Sequence, residues 1–368
     1  MLLLVFMLMY CLFGAALFEL AWRNTKKLRT PDSERDEKYP AFSRTDVYQL
    51  KRWKLFLGAI TVLPARVGLH AFSWIFFWFL NIFICWGWDM RGTEEMSKRQ
   101  RYWSGVSNSC CAVLNLFAAG TFTRTRSVHM DYSKWLGKGY EAIPVERCGL
   151  YVSNHVGFLD TDVIAVASLN QIGYVIAEWV KKVPFYGCLA QQAESLFLPR
   201  GDPDKTQSSI DQITERAASI EQGRSNKRPV VIFPAGFCTN GTHTVRFKKG
   251  AFMGLNSVRP MILKYNSNHL MPNNAGIGEL SLMTFLWCSF APVLCEVTFL
   301  PVFTPTEHLF ANMKAGQEKW EVYAQAVREV MCEFSGFPMN EHTYQDLKDY
   351  WELAGCKKAG HAPKPKRA

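Results

Sequence analysis

One histidine and one aspartate in this sequence could handle a proton together. The stretch "SNHVGFLDTD" carries His155 and Asp160, five positions apart, directly after the strand-like run "CGLYVSN". An imidazole can remove a proton from a hydroxyl group near neutral pH, and a carboxylate can hold that imidazole in one tautomer and stabilise its protonated form. The pair therefore predicts general base catalysis. The competing interpretation is a turn histidine followed by an aspartate that caps a helix.

The spacing of the pair restricts the local structure that could bring the two side chains together. In a continuous helix, positions i and i+5 lie about 140° apart, so the side chains would not meet. We therefore expect the chain to turn between a strand and a helix, with Gly157 making the turn easy. Asp160 would then lie near the N-terminus of the helix, where a carboxylate is favoured.

Candidate substrate-binding residues follow two later strand-like runs. "SLFLPR" ends in Arg200, whose guanidinium could hold a phosphate, although such an arginine is more often an ion-pair residue. "RPVVIFP" leads into a glycine-containing loop that carries Gly236, Thr239 and Asn240, and Lys248 adds positive charge. In open α/β sheets, ligand sites gather at the carboxyl ends of the strands. We therefore predict that these five residues bind substrate.

The elements that must position these residues are visible as an alternation in the sequence. Strand-like runs such as "IGYVIA", "RPMILKY" and "CEVTFLPVF" are separated or followed by helical patterns over 160–169, 178–192, 205–222 and 317–333. This alternation predicts an α/β fold in which helices flank a mostly parallel sheet. We assign the catalytic domain to residues 126–348 and a basic tail to residues 349–368.

The first part of the chain is apolar enough to contact a membrane. Residues 2–22 carry Glu19 as their only charge, and about 20 apolar residues span a bilayer. We expect a retained anchor at residues 1–22 rather than a cleaved signal peptide, because no Lys or Arg precedes the run and because the run is longer than the apolar h-region of a usual signal peptide.

Residues 23–125 are expected to form a basic linker followed by a membrane-associated helical hairpin. The apolar run 55–88 is interrupted by Pro64 and Arg66. It is too short for two complete spans, which predicts a re-entrant hairpin or a bent pair of interfacial helices. Basic residues flank the run on both sides, so the positive-inside tendency predicts a catalytic domain in the cytosol.

The composition restricts the partners. The chain has 42 basic and 32 acidic residues and a formal net charge of +10, which favours anionic partners such as phospholipid head groups or nucleotide-like molecules. We expect no nucleic acid partner, because the basic residues are scattered and no nucleic-acid-binding motif stands out. The eleven cysteines show no metal-ligand spacing, so we expect reduced thiols and no metal site.

The order of the motifs resembles that of the glycerolipid acyltransferase family. "NHVGFLD" resembles the H-x4-D catalytic block, "LFLPR" the second block, "IFPAGFCTNGT" the third and "RPMILKY" the fourth. Within the family, "FPAGFCTNGTHTVRFKKGAF", "EVTFLPVFTPTEHLFAN" and "YAQAVREVMCEFSGFPMNEHTYQD" look most like the lysophosphatidylcholine acyltransferase branch. The resemblance covers roughly residues 130–348.

This resemblance implies a membrane-bound enzyme that transfers an acyl group from acyl-CoA to the free hydroxyl of a lysophospholipid, with lysophosphatidylcholine as the expected acceptor. His155 would deprotonate the hydroxyl, and Asp160 would orient His155. No acyl-enzyme and no cofactor are required, since acyl-CoA is a co-substrate. The family also implies an endoplasmic reticulum membrane. The alternatives are an acyltransferase for lysophosphatidic acid and a catalytically inactive lipid-binding relative.

The third block departs from the family pattern at two positions. Ala235 stands where the family has Glu, and Phe237 stands where it has Thr. The family assigns that Glu to the acceptor-binding region, so we expect the proton-transfer pair to be intact and acceptor recognition to be altered. We also expect Phe237 to offer the acceptor an apolar contact surface.

Overall fold

A seven-stranded sheet forms the centre of the protein. The computed structural model describes residues 1–89, 95–199 and 205–356, so Arg200 lies outside the described residues, as does most of the predicted tail. The strands are β1 (Thr121–Ser127), β2 (Leu150–Ser153), β3 (Gly173–Ala177), β4 (Leu196–Leu198), β5 (Val230–Ile232), β7 (Val258–Asn266) and β8 (Val293–Phe299). Their order is β1-β8-β7-β2-β5-β3-β4. Among these described strands only the pair β7–β8 is antiparallel, so the predicted mostly parallel α/β sheet is confirmed.

Helices cover both faces of this sheet. They are α1 (Leu2–Asn24), α2 (Ser33–Lys38), α3 (Arg52–Thr61), α4 (Leu63–Ile84), α5 (Lys98–Ala118), α6 (Ser133–Leu136), α7 (Asp160–Ala167), α8 (Tyr186–Gln192), α9 (Thr206–Glu221), α10 (Glu279–Cys288), α11 (Glu307–Phe310), α12 (Lys319–Ser335) and α13 (Tyr344–Leu353). One core lies between the sheet and α1, α3, α7 and α10, and the other lies between the sheet and α9 and α12. A small parallel pair joins β6 (Thr244–Val245) to β9 (Met339–Asn340).

The central strands supply both cores because successive side chains point to opposite faces. Tyr151 and Val231 belong to the first core, whereas their neighbours Leu150, Val152 and Val230 belong to the second. These side chains are all buried, which explains why β2 and β5 read as continuous apolar runs rather than as alternating ones.

Among the helices of the described residues, two are long and apolar enough to cross a membrane, by length and composition. They are α1, with a mean hydropathy of 2.2, and α4, with a mean hydropathy of 1.7. The predicted hairpin region consists of α3 and α4, joined at Val62. Pro64 lies in the first turn of α4, where its missing N–H is tolerated, and therefore does not break the helix. The side chains of Phe72, Phe76, Phe79 and Phe83 remain exposed along α4.

Candidate active site

His155 and Asp160 meet in the turn that joins β2 to α7. β2 ends at Ser153 and α7 begins at Asp160, so the expected change from strand to helix is observed between them. Nδ1 of His155 lies 2.7 Å from Oδ2 of Asp160. The aspartate side chain is fully buried, whereas the histidine side chain keeps 21% of its surface exposed. The pair therefore presents an oriented imidazole to the outside and hides the group that orients it.

Three further donors hold the carboxylate of Asp160. The backbone N–H groups of Val156 and Gly157 donate to Oδ2 at 2.7 and 3.1 Å. The hydroxyl of Tyr265 donates to Oδ1 at 2.8 Å. Tyr265 lies near the end of β7, which pairs with β2 in parallel. These donors fix the orientation of the carboxylate toward His155.

Gly157 is required because two chain segments approach each other closely. A Cβ atom at this position would lie 2.4 Å from the carbonyl oxygen of Pro272 and 2.7 Å from Oδ1 of Asn274. Asn274 bonds the turn from both sides, because its side chain accepts from Phe158 N and its N–H donates to Val156 O. We predicted this glycine because it would let the chain turn easily. Its backbone φ is not in the left-handed region, so the close approach of the two segments, and not the turn itself, requires glycine at this position.

The imidazole of His155 has two further neighbours. Its ring stacks on Phe233 with 4.0 Å between the centroids, and its backbone oxygen accepts a 2.8 Å bond from Thr239 N. The thiol of Cys238 lies near the imidazole. Burial alone would lower the pKa of His155, but Cys238 and Asp160 outweigh it and raise the pKa to about 10. These neighbours therefore favour the charged form of the imidazole.

The loop that follows β5 carries Gly236, Thr239 and Asn240, and the backbone N–H of Thr239 contacts His155. Gly236 has a φ of 77°, and a Cβ atom there would lie 2.8 Å from Nζ of Lys248. Lys248 is exposed, and its N–H donates to Pro234 O. A positively charged group therefore lies at the glycine turn beside His155. The binding role of Gly236 and Lys248 stays a prediction, as does that of Arg200.

The side chains of Thr239 and Asn240 are buried in the protein. Thr239 is 3% exposed and Asn240 is 7% exposed. The amide nitrogen of Asn240 donates to Pro40 O at 2.7 Å and to Ser43 O at 3.1 Å. These contacts indicate that the two residues fix the loop in place. Direct binding of substrate by their side chains stays a prediction.

The two positions that depart from the family pattern are both buried. Ala235 is 5% exposed and Phe237 is 7% exposed. The ring of Phe237 lies 5.9 Å from that of Phe42 and 6.2 Å from that of Tyr344, between centroids. Its apolar surface is thus used in packing the protein. The expectation that Phe237 offers this surface to an acceptor stays a prediction.

The segment between α2 and α3 is bonded to the loop that follows β7. Arg44 is fully buried, and its guanidinium donates to the carbonyl oxygens of Asn273 and Met271. Both carboxylate oxygens of Asp46 accept from Arg44 at 2.9 Å, and one also accepts from Met271 N. Sequence reasoning missed the contacts of Arg44 and Asp46 with Met271 and Asn273, because they join residues more than 220 positions apart. The segment therefore helps to fix the loop that contacts the His155 turn.

The sequence of this chain is similar to sequences of known proteins. Residues 137–263 match the Acyltransferase family model. The chain is 26% identical to lysophosphatidylcholine acyltransferase 1 of Homo sapiens over 302 residues, which cover 81% of this chain and 52% of that protein. It is 28% identical to lysophosphatidylcholine acyltransferase of Drosophila melanogaster over 299 residues, which cover 80% of this chain and 51% of that protein. The chain thus spans about half the length of the curated relatives that it matches.

A solved structure is also similar to this chain. The crystal structure of the 1-acyl-sn-glycerophosphate (LPA) acyltransferase, PlsC, from Thermotoga maritima superposes with a TM-score of 0.46 at 13% sequence identity, covering 74% of this chain and 96% of that chain. The sequence comparisons confirm the resemblance expected from the motifs: residues 137–263 match the Acyltransferase family model, and the chain is similar to the lysophosphatidylcholine acyltransferases.

Proposed function

We propose that the protein is a membrane-bound acyltransferase that transfers an acyl group from acyl-CoA to the free hydroxyl of a lysophospholipid, with lysophosphatidylcholine as the favoured acceptor. The observation that carries this proposal is the His155–Asp160 pair, in which a buried carboxylate holds a partly exposed imidazole at the carboxyl end of β2. The similarity to lysophosphatidylcholine acyltransferases supports the substrate class.

The pair can perform the proton transfer that this reaction needs. A lysophospholipid hydroxyl is a weak nucleophile until a base removes its proton, and His155 is placed to act as that base. The hydroxyl oxygen forms a bond to the thioester carbon, the bond from that carbon to sulfur breaks, and the leaving CoA thiolate takes the proton that His155 removed from the hydroxyl. Asp160 stabilises the imidazolium that forms, and it does not need to take up the proton itself. His155 must be neutral when the acceptor hydroxyl reaches it.

Positive charge near the pair suits an acceptor that carries a phosphate. Lys248 is exposed at the Gly236 turn, and the sequence adds Arg200 after the strand-like run "SLFLP". A phosphate held by cationic side chains gains charge-assisted hydrogen bonds. The free hydroxyl of a lysophospholipid would then lie on the side of the bound phosphate that faces the imidazole.

The two apolar helices suit a site that receives its substrates from a lipid bilayer. Exposed aromatic side chains on α4 and the long apolar surface of α1 would be covered by lipid, because such large exposed apolar patches are unfavourable in water. We place the protein in the endoplasmic reticulum membrane, with the acyltransferase domain in the cytosol. The basic segments on both sides of the α3–α4 region support this orientation.

The test is acyl transfer by the purified full chain in phosphatidylcholine vesicles. Release of the CoA thiol would be followed with acyl-CoA and each of three acceptors, which carry choline, ethanolamine or an unsubstituted phosphate, and the phospholipid product would be identified by mass spectrometry. We expect the highest kcat/KM for the choline acceptor. The lysophosphatidic acid alternative instead predicts the highest value for the unsubstituted phosphate.

His155→Ala is the matching variant, and it should lower transfer by about 10² to 10⁴ fold, the usual contribution of a general base. His129→Ala is its control, because His129 is exposed just after β1, a strand that runs antiparallel to β2 in the same sheet. Folded wild-type protein that binds vesicles but releases no thiol with any acceptor would favour the inactive lipid-binding alternative.

A further inference from the structure

Two basic segments that are separated in the sequence meet at one end of a helix pair. α1 and α3 pack against each other. The hydroxyl of Tyr10 donates to Thr61 O at 2.6 Å, so an early part of α1 lies beside the end of α3. Glu19 forms an ion pair with Arg52, so the last part of α1 lies beside the start of α3. The two helices are therefore antiparallel, and the end of α1 meets the start of α3.

This end of the helix pair carries a cluster of cationic side chains. Five of them are exposed and the sixth, Arg29, is half-buried. Glu19 offsets the charge of Arg52, so a net positive charge remains on the cluster. We name this cluster the basic end, and it consists of Arg23, Lys26, Arg29, Lys51, Arg52 and Lys54.

Contacts of Arg29 show that the two basic segments face each other. The guanidinium carbon of Arg29 lies 3.4 Å from the centroid of the Trp22 ring, and the guanidinium donates to Trp22 O at 2.8 Å. Arg29 is therefore held against the last turns of α1. Burial lowers the pKa of Arg29, and the positive charge of Arg52 lowers it further. Cations from two segments thus lie close enough to repel each other, and a bound anion would relieve this repulsion.

An exposed tryptophan favours a lipid surface over a soluble anion as the partner of the basic end. Trp53 lies between Arg52 and Lys54, and it is 65% exposed. Leu20 and Leu57 are exposed on the same two helices. A soluble anion would gain nothing from these apolar side chains, whereas tryptophan is favoured at the level of the lipid head groups. From the basic end, α1 continues as a long exposed apolar helix, which suits the acyl chains beneath those head groups.

We propose that the basic end binds the head groups of anionic phospholipids at the membrane surface. The proposal rests on the proposed function only for the membrane location of the protein, and acyl transfer itself does not require it. Each Lys or Arg near an anionic membrane surface strengthens the attraction roughly fivefold. The basic end therefore prefers an anionic lipid to phosphatidylcholine, whose head group carries no net charge.

The test is photo-crosslinking of the full chain in vesicles. Phosphatidylcholine vesicles that contain phosphatidylserine would carry a photoreactive group close to the head group of one lipid or of the other. After illumination and digestion, mass spectrometry would identify the labelled peptides. We expect the phosphatidylserine probe to label residues 23–29 and 51–54 at least about 10-fold more than the phosphatidylcholine probe does. This excess should fall as the salt concentration rises, because ions screen exposed charges.

A triple variant tests the cations themselves. Lys26→Gln with Lys51→Gln and Lys54→Gln removes three positive charges from the basic end. It keeps the ion pair of Arg52 and the contacts of Arg29 with α1, so the helix pair should still form. The excess of phosphatidylserine label should fall by about 10-fold or more.

A second triple variant is the matched control. Lys138→Gln with Arg147→Gln and Lys314→Gln removes the same charge, and these three side chains are also exposed. They lie outside α1, α3 and the residues between them. This variant should keep the wild-type excess of phosphatidylserine label at the basic end.

Labelling by lipid needs no acyl transfer, so the outcomes separate the lipid site from the proposed function. Equal labelling by the two probes in the wild type, or an excess that survives in the Lys26, Lys51 and Lys54 variant, overturns the lipid site and leaves the acyltransferase standing. An excess at the basic end of a chain that transfers no acyl group supports the lipid site and contradicts the proposed function. A chain that stays in solution overturns the lipid site together with the proposed membrane location. If the variant does not fold, the ratio of the two labels in the wild type and its dependence on salt decide.

Discussion

Tyr265 donates its hydroxyl hydrogen to Oδ1 of Asp160 at 2.8 Å, although the two residues are 105 positions apart in the chain. The bond joins the end of β7 to the start of α7 across the carboxyl edge of the sheet. Oδ2 of Asp160 already accepts from the backbone N–H groups of Val156 and Gly157 and contacts His155. Tyr265 therefore binds the other carboxylate oxygen, Oδ1. It therefore positions the carboxylate without touching the imidazole.

Replacement of Tyr265 by Phe should reduce both stability and transfer, but less than the loss of His155. The ring stays and one bond to a charged group is lost, so the free energy of unfolding should fall by about 1 to 3 kcal/mol. Acyl transfer should fall by roughly 10-fold, because the orienting carboxylate keeps its other donors. Thermal unfolding and kcat/KM for lysophosphatidylcholine measure the two effects.

Tyr174→Phe is the control for this substitution, because the hydroxyl of Tyr174 donates to the neutral carbonyl oxygen of Thr161. It should lower stability by about 0.5 to 1.5 kcal/mol and leave kcat/KM nearly unchanged. Equal kinetic losses in the Tyr265 and Tyr174 variants would mean that Tyr265 has only a structural role.

The sequence predicted the core of this arrangement because short-range patterns determine it. Apolar runs alternate with amphipathic ones, which predicts the parallel strands, and the five-residue spacing of His155 and Asp160 requires the observed turn. The run "RPMILKY" was also expected beside the site, since the carboxyl ends of parallel strands share one edge. The sequence did not identify Tyr265 within that run, because the residue that reaches Asp160 depends on strand order and register.

Other features could not be predicted for related reasons. β1 is an exposed strand of the sequence "TFTRTRS", and it lacks the apolar pattern that marks a buried strand. The antiparallel direction of β8 depends on the path of the chain after β7 and α10. Thr239 was part of a quoted motif, but the bond from its N–H to the backbone oxygen of His155 arises from the loop conformation, which no residue spacing specifies.

Arg44→Ala should loosen the contact between the α2–α3 segment and the loop that follows β7. It leaves the carbonyl oxygens of Asn273 and Met271 and the carboxylate of Asp46 without their common donor. Removal of one partner of a buried pair costs about 3 to 5 kcal/mol, and we expect the lower end because Asp46 keeps 18% of its side-chain surface exposed. A lower melting temperature and a higher KM at a permissive temperature are the expected results.

Arg52→Ala is the matched control for the Arg44 variant. Arg52 pairs with Glu19, and the two side chains are 55% and 32% exposed. An exposed pair contributes less than about 1 kcal/mol, so this variant should unfold near the wild-type temperature. A similar loss of stability in both variants would show that the carbonyl contacts of Arg44 contribute little.

Asp162→Asn should change the way stability depends on pH. Burial raises the pKa of Asp162 from 3.8 to about 7, against the opposing effect of a hydrogen bond from Asn115. The folded protein therefore keeps a proton that the unfolded chain loses near pH 4, so stability from this group falls as pH rises from about 4 to 7. Asparagine does not ionise, so the variant does not lose stability in this way as the pH rises.

The difference in melting temperature between Asp162→Asn and the wild type measures the effect. The melting temperature of the variant should rise relative to that of the wild type between pH 5 and pH 8, because the carboxyl group of the folded wild type loses its proton over that interval. An equal difference at both pH values would show that Asp162 titrates near its ordinary pKa.

Restoration of the family residues by Ala235→Glu with Phe237→Thr should weaken the protein rather than sharpen its choice of acceptor. Both side chains are buried, and the Phe237 ring packs between Phe42 and Tyr344. Replacement of a buried Phe by Ala lowers the free energy of unfolding by about 3 to 5 kcal/mol, which is an upper bound for Phe237→Thr. A carboxylate at position 235 would add the cost of removing a charge from water. Phe237→Leu, which keeps an apolar side chain, should lose much less stability. Melting temperatures and the ratio of kcat/KM across choline, ethanolamine and unsubstituted phosphate acceptors test both parts. A double variant that melts like the wild type and prefers one head group more strongly would show that this loop opens to the acceptor and that the new Glu binds it.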